Sequence, residues 1–284
     1  IMNFQVKCEL AYNLQGPATF LFALKCIRTG GQSVLTESLV IEPLATSEDF
    51  SIEGGMNRFT RIMTWNPGIL KITYQALVST STWIISKSSL QPEVGLFPSR
   101  EAVSFLFPSR YCQSDRLREQ AHELFGQLGS PYEIASGISD WIFANVSYVI
   151  GSSGENSSAI DTLEQRQGVC RDFAHLGITF CRAMSVPARY VTCYAHQLEP
   201  PDFHACFEVL INGCWYLFDA TRLVPLNGLV RIATGRDAAD AAVCTIFGST
   251  ELTTSIVSCE CDSPNFIHVT RDSLVRENQA IALL

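Results

Sequence analysis

The stretch Gly168-Val169-Cys170-Arg171-Asp172-Phe173-Ala174-His175-Leu176 sets a single thiol where a glycine turn gives way to an amphipathic segment. Reading on to Ser185, the residues Phe173, Gly177, Phe180, Cys181 and Met184 recur at three-to-four-residue spacing, the signature of a helix with one buried stripe. Cys170 then falls in the first turn, where unpaired backbone N–H groups and the positive end of the helix dipole favour the thiolate over the thiol. Arg171 adds a neighbouring positive charge. The thiolate is the nucleophile, so the placement suits a cysteine that attacks a carbonyl. A cysteine taken at random is more often a small buried hydrophobe. Partners elsewhere in the chain must decide between the two readings.

The 284 residues suffice for one large domain or two ordinary ones. With 47% hydrophobic and 17% charged residues, the chain reads as folded and globular rather than disordered. A net charge of −8 argues against a nucleic-acid or anionic-membrane surface. The longest early apolar run, Ala18-Thr19-Phe20-Leu21-Phe22-Ala23-Leu24, is too short to span a bilayer and no small-residue cleavage site follows it, so a cytoplasmic protein is expected. Eleven cysteines, an odd number without the spacing of a disulfide framework, agree with a reducing compartment. No Cys-x-x-Cys occurs, and neither Cys259-x-Cys261 nor His204-x-Cys206 has the ligand spacing of structural zinc, so no metal and no cofactor is expected. The pattern carries no signal for an oligomeric state.

The N-terminal part alternates. Phe4, Val6, Cys8, Leu10 and Tyr12 fall on one side of a half-buried strand, and Leu70, Ile72, Tyr74, Ala76 and Val78 repeat the pattern after the turn Asn66-Pro67-Gly68. Further turns at Gly30-Gly31 and Gly54-Gly55 suggest an antiparallel β-sandwich of about 100 residues, with no chemical motif in it. Residues 91–110 hold Leu-Phe-Pro-Ser-Arg twice, at 96–100 and 106–110; proline there favours an extended connector, with a domain boundary near Pro108. The expected division is 1–107 and 108–284.

Beyond Pro108 the period becomes helical. Ser114 or Asp115 can cap a helix carrying Leu117, Ala121, Leu124 and Phe125, and a second follows Ser130-Pro131 with Ile134, Ile138, Trp141 and Ile142. A polar loop at 151–158 precedes a short helix expected over Ala159–Gln167. After Pro187, the run Ala188–Ala195 reads as a strand. His204, Cys206, Glu208 and Leu210 then share one face of another strand, which ends at Asn212-Gly213, the strongest short hairpin signal. A two-residue turn there sets Ile211 opposite Cys214 and, further along the ladder, Cys206 opposite Asp219. His204 becomes the diagonal neighbour of Asp219 on the same face. A carboxylate beside an imidazole orients it and stabilises its protonated form, which is what a thiol nucleophile needs from a base. The same pair could be an ordinary polar contact on a sheet. His122 reads as an exposed helix residue, and His175 lies too far round the helix to face Cys170.

These residues resemble a known family. Gly168 to Leu176, Arg182-Ala183, Pro187-Ala188-Arg189, Asp202-Phe203-His204-Ala205 and Trp215-Tyr216-Leu217-Phe218-Asp219-Ala220-Thr221 look like the core of the bacterial transglutaminase-like superfamily, including its cysteine proteases. The resemblance runs from about Pro108 through Gly235-Arg236-Asp237-Ala238, and more loosely into the strand-rich N-terminal part. It implies an α+β fold: an N-terminal antiparallel β-sandwich, then a papain-like core with the nucleophile at a helix N-terminus packed on an antiparallel sheet. It also implies Cys170 as nucleophile, His204 as general base and acid, and Asp219 as the residue orienting His204. Many members carry tryptophan two residues after the histidine, where this chain has Cys206.

The expectation is a thiol hydrolase that attacks a peptide or side-chain carboxamide of a peptide or protein substrate through a Cys170 thioester, with Cys170 N–H as one oxyanion donor. Transfer of the acyl group to an amine, as a transglutaminase does, shares every step up to the thioester. A non-catalytic binding module and a redox thiol protein using Cys170 and Cys206 are the rivals from other classes.

Overall fold

The first strand, β1 (Met2–Leu14), forms as the alternation demands: Phe4, Val6, Cys8, Leu10, Tyr12 and Leu14 are buried, while Gln5 and Lys7 point outward. The computed structural model describes residues 1–52, 55–90 and 99–283. In chain order β2 (Ala18–Phe22), β3 (Gln32–Glu42), β4 (Thr46–Phe50), β5 (Phe59–Thr64), β6 (Gly68–Thr80) and β7 (Thr82–Ser86) follow. Then come α1 (Arg100–Val103), α2 (Arg118–Phe125), α3 (Pro131–Asn145), β8 (Ser147–Tyr148), α4 (Ala159–Gln165), β9 (Gln167–Gly168) and α5 (Cys170–Ala183). The rest is β10 (Ala188–Ala195), β11 (His204–Ile211), β12 (Cys214–Phe218), β13 (Leu229–Gly235), α6 (Ala238–Ala241), β14 (Cys244–Phe247), β15 (Thr250–Cys261), α7 (Arg271–Arg276) and β16 (Gln279–Leu283).

Two four-stranded antiparallel sheets, ordered β15-β1-β6-β3 and β14-β2-β5-β4, face each other as the expected sandwich, with Tyr12 and Phe20 meeting at 5.0 Å between ring centres. A six-stranded antiparallel sheet, β13-β10-β11-β12-β16-β7, carries α5 on one face. The α+β architecture is therefore present, with the Cys170 helix packed on an antiparallel sheet.

Strand pairing does not follow the division at 107/108. β15 and β14, from the far end of the chain, pair with β1 and β2, and β7 pairs with β16 in the core sheet. The reason is edge protection: β15 covers the backbone row that β1 would otherwise expose. The two parts also share one apolar cluster, and the Tyr194 hydroxyl donates to the Leu24 carbonyl at 3.0 Å across the join. Of the connector expected over 91–110, residues 91–98 lie outside those described. From Ser99 onward it is not extended, because the Ser99 hydroxyl accepts from the Ala102 N–H and starts α1.

The helices match their signals with small shifts. α3 begins at Pro131 behind a capping box of Ser130 and Glu133. Ser114–Arg116 make a 3₁₀ turn rather than capping α2 directly. α4 stops at Gln165, two residues early, because Arg166 turns left-handed (φ 54°) and frees Gln167 and Gly168 to pair with β8.

Candidate active site

Cys170 is the first residue of α5, after an extended Val169. The buried Asp172 carboxylate reaches back to accept from the Val169 N–H at 2.8 Å, satisfying one of the backbone donors that a helix start leaves open. Gly168 permits this: a Cβ there would sit 2.7 Å from Asp172 Cβ. The Arg171 guanidinium is engaged by the Gly154 carbonyl and lies over the Tyr111 ring.

The hairpin forms in the expected register. Ile211 pairs with Cys214, Leu210 with Trp215, and the ladder continues to Phe207 and Phe218. Both turn residues take positive φ, 51° at Asn212 and 77° at Gly213, as a two-residue turn of this kind requires. His204 opens β11, and its Nε2 meets Asp219 Oδ2 at 2.9 Å with both side chains buried. The other Asp219 oxygen accepts from the Thr221 N–H at 2.9 Å and hydroxyl at 2.7 Å, so the carboxylate is fixed in the turn that follows β12.

Burial alone would drive the proton off His204. The Asp219 carboxylate outweighs it, helped by the Cys170 side chain, and the His204 pKa stands well above the ordinary value of 6.5. Nδ1 of His204 is buried without a close hydrogen-bond partner, which leaves that nitrogen for the thiol. Contacts of this kind are commonly loose before substrate binds.

His175, five residues along α5, is equally buried and belongs to a different cluster. Its Nε2 accepts from the Ala238 N–H at 3.1 Å, and its ring lies between Tyr111 and Tyr190 at 4.9 and 5.1 Å. Burial, with Arg171 and Arg182 adding to it, holds its pKa well below 6.5. His122 is exposed on α2.

Cys206, where many members carry tryptophan, is buried, and Cys193 beside it together with burial raises its thiol well above the ordinary value. Trp215 packs with Ala102, Leu210 and Phe105 and donates to Glu101 at 3.1 Å, the role of a core aromatic.

One residue near the thiol has no counterpart in the sequence reading. Tyr148 lies in β8, whose parallel pairing with β9 sets it beside Gly168, and its phenol lies near enough to Cys170 for the thiol and the backbone there to act on it. A two-residue strand leaves too short a pattern to find.

Residues 118–220 match the family described as the transglutaminase-like superfamily, and residues 2–97 match the bacterial transglutaminase N-terminal domain. The crystal structure of a candidate cysteine protease from Cytophaga hutchinsonii is 44% identical, superposes with a TM-score of 0.94, and aligns over 100% of this chain and 98% of its own. The chain belongs to the transglutaminase-like superfamily. An uncharacterised Mycobacterium leprae protein is 27% identical over 191 residues, 61% of this chain and 68% of its own length. An uncharacterised protein of Mycobacterium tuberculosis is 32% identical over 195 residues, and the match spans 62% of its length. In this transglutaminase-like chain no helix among the described residues is long and apolar enough to cross a membrane.

Proposed function

We propose that this protein is a thiol hydrolase in which Cys170, His204 and Asp219 act as one unit on a peptide or side-chain carboxamide. The observation that carries the reading is the buried 2.9 Å contact between His204 and Asp219, on a ring whose other nitrogen is left for the thiol at the start of α5. The Cys170 thiolate attacks the carbonyl carbon, and the C=O electron pair moves onto oxygen. His204, as imidazolium, protonates the departing amine while the C–N bond breaks and leaves a thioester. A water molecule then gives its proton to His204 and attacks the thioester. The carboxylic acid leaves and the thiolate–imidazolium pair is restored. Asp219 holds the imidazole in one orientation and stabilises its positive form.

Water is always present and no feature of the sequence marks a lysine-binding site, so hydrolysis is favoured over amine transfer. The eleven free cysteines suit a reducing, cytoplasmic setting. Incubation with an activated acyl ester, acid quenching and peptide mapping should find the acyl group on Cys170 alone. Labelling elsewhere, or none, would contradict the proposal.

A further inference from the structure

An acyl-transfer site needs two donors where the carbonyl oxygen becomes an anion, and the Cys170 N–H supplies only one. The second must lie within hydrogen-bond reach of that N–H and of the sulfur, since the oxyanion forms on the carbon bonded to sulfur.

Backbone pairing holds Tyr148 beside this position. The Ser147 N–H donates to the Arg166 carbonyl and the Val149 N–H to the Gly168 carbonyl, both at 2.9 Å, so the strand is tied on either side of Tyr148 to the residues that lead into Cys170. The Tyr148 ring packs on Phe173, in the first turn of α5, with centres 5.8 Å apart. The residue keeps 37% of its surface exposed, so its ring is open to solvent on one side. Its phenol also lies near enough to Cys170 for the thiol and the backbone there to act on it.

We propose that Tyr148 is a catalytic residue, its hydroxyl donating to the oxyanion together with the Cys170 N–H. The assignment rests on Cys170 being the acylated nucleophile. As negative charge passes from sulfur to oxygen in the attack, the same O–H follows it, and no proton is transferred. Burial, then the Cys170 side chain and the Asp202 carboxylate nearby, push the phenol above its ordinary pKa, so it remains a donor throughout the neutral range.

The test compares two reactions of one thiol in the full-length protein and in Tyr148→Phe. Alkylation by iodoacetamide makes no oxyanion; acylation by p-nitrophenyl acetate does. At pH 9 Tyr148→Phe should be alkylated at Cys170 within about twofold of the wild-type rate, while acylation falls roughly 10²-fold, the usual loss of one oxyanion donor. Equal rates in both reactions would overturn the proposal. So would a rise in both, which would make the hydroxyl a cover on the thiol, or an equal fall in both, which would make its role structural. If the wild-type protein is alkylated at Cys170 but never acylated there, the hydrolase reading falls and this assignment with it.

Discussion

Two equally buried histidines, His204 and His175, pack against or within α5 with their pKa values shifted in opposite directions. At its start His204 faces Asp219, a carboxylate, and its pKa is held well above 6.5. One turn later His175 faces the Ala238 N–H and two tyrosine rings, and its pKa is held well below 6.5. Desolvation acts on both in the same direction, so the charged neighbours separate them: the Asp219 carboxylate keeps the proton on His204, whereas at His175 burial, with Arg171 and Arg182 adding to it, keeps the proton off and leaves a lone pair to accept from the Ala238 N–H. The first arrangement suits proton transfer at a thiol. The second fastens α5 to the turn ahead of α6, where Asp237 in turn accepts from the Tyr111 N–H at 2.9 Å. Distance along the sequence is a poor guide here, because the histidine nearer to Cys170 in the chain is the one engaged by Ala238 and two tyrosine rings.

The comparison predicts its largest effect in turnover. His204→Ala should cut it roughly 10⁴-fold, while His175→Gln, which keeps an acceptor for the Ala238 N–H, should leave it within about threefold per folded molecule. Turnover of an activated ester, normalised to the folded fraction by circular dichroism, checks this. A large rate loss in His175→Gln without loss of fold would break the division of roles.

Asp219→Asn comes next. It preserves shape but removes the charge that holds the imidazolium, so turnover should drop roughly 10²- to 10⁴-fold while Cys170 remains present to thiol titration. An unchanged rate would show that the carboxylate only fills space.

The smallest effect lies in stability against pH, and the two histidines contribute with opposite sign. His175 has a lowered folded pKa, so its contribution is present above about 6.5 and is lost as pH falls, when the unfolded chain takes up a proton that the folded one refuses. His204 has a raised folded pKa, so its contribution is present below about 6.5 and is lost as pH rises. His175→Gln should therefore flatten the acid-side fall in unfolding free energy, read from denaturant titrations, by at most about 1.4 kcal/mol per pH unit. A steeper acid fall in the variant would contradict the neutral assignment.

Much of this site was legible because its signals are local. Asn212-Gly213 forms a two-residue turn, and the turn alone sets the register that brings His204 to Asp219. The start of α5 was readable from Gly168 and the apolar stripe, although neither signal announces that the Asp172 carboxylate closes the helix start. What escaped depends on long-range pairing or on very short elements. β15 joins β1 across more than two hundred residues, so nothing near Thr250–Cys261 announces that it completes the N-terminal sheet. Tyr148 comes beside Cys170 from a two-residue strand, and the Cys206 thiol is raised by Cys193 on the neighbouring strand, an effect that no spacing within β11 reveals.

The central claim is that Cys170 and His204 form one reactive unit. It is tested most directly by the iodoacetamide alkylation rate of each cysteine against pH, read by peptide mapping in the wild-type protein and in His204→Ala. The account predicts that wild-type Cys170 reacts at pH 6 far faster than an ordinary exposed thiol, and that His204→Ala loses this low-pH reactivity while regaining reaction above about pH 8.5. Superimposable pH profiles for Cys170 in the two proteins would contradict it.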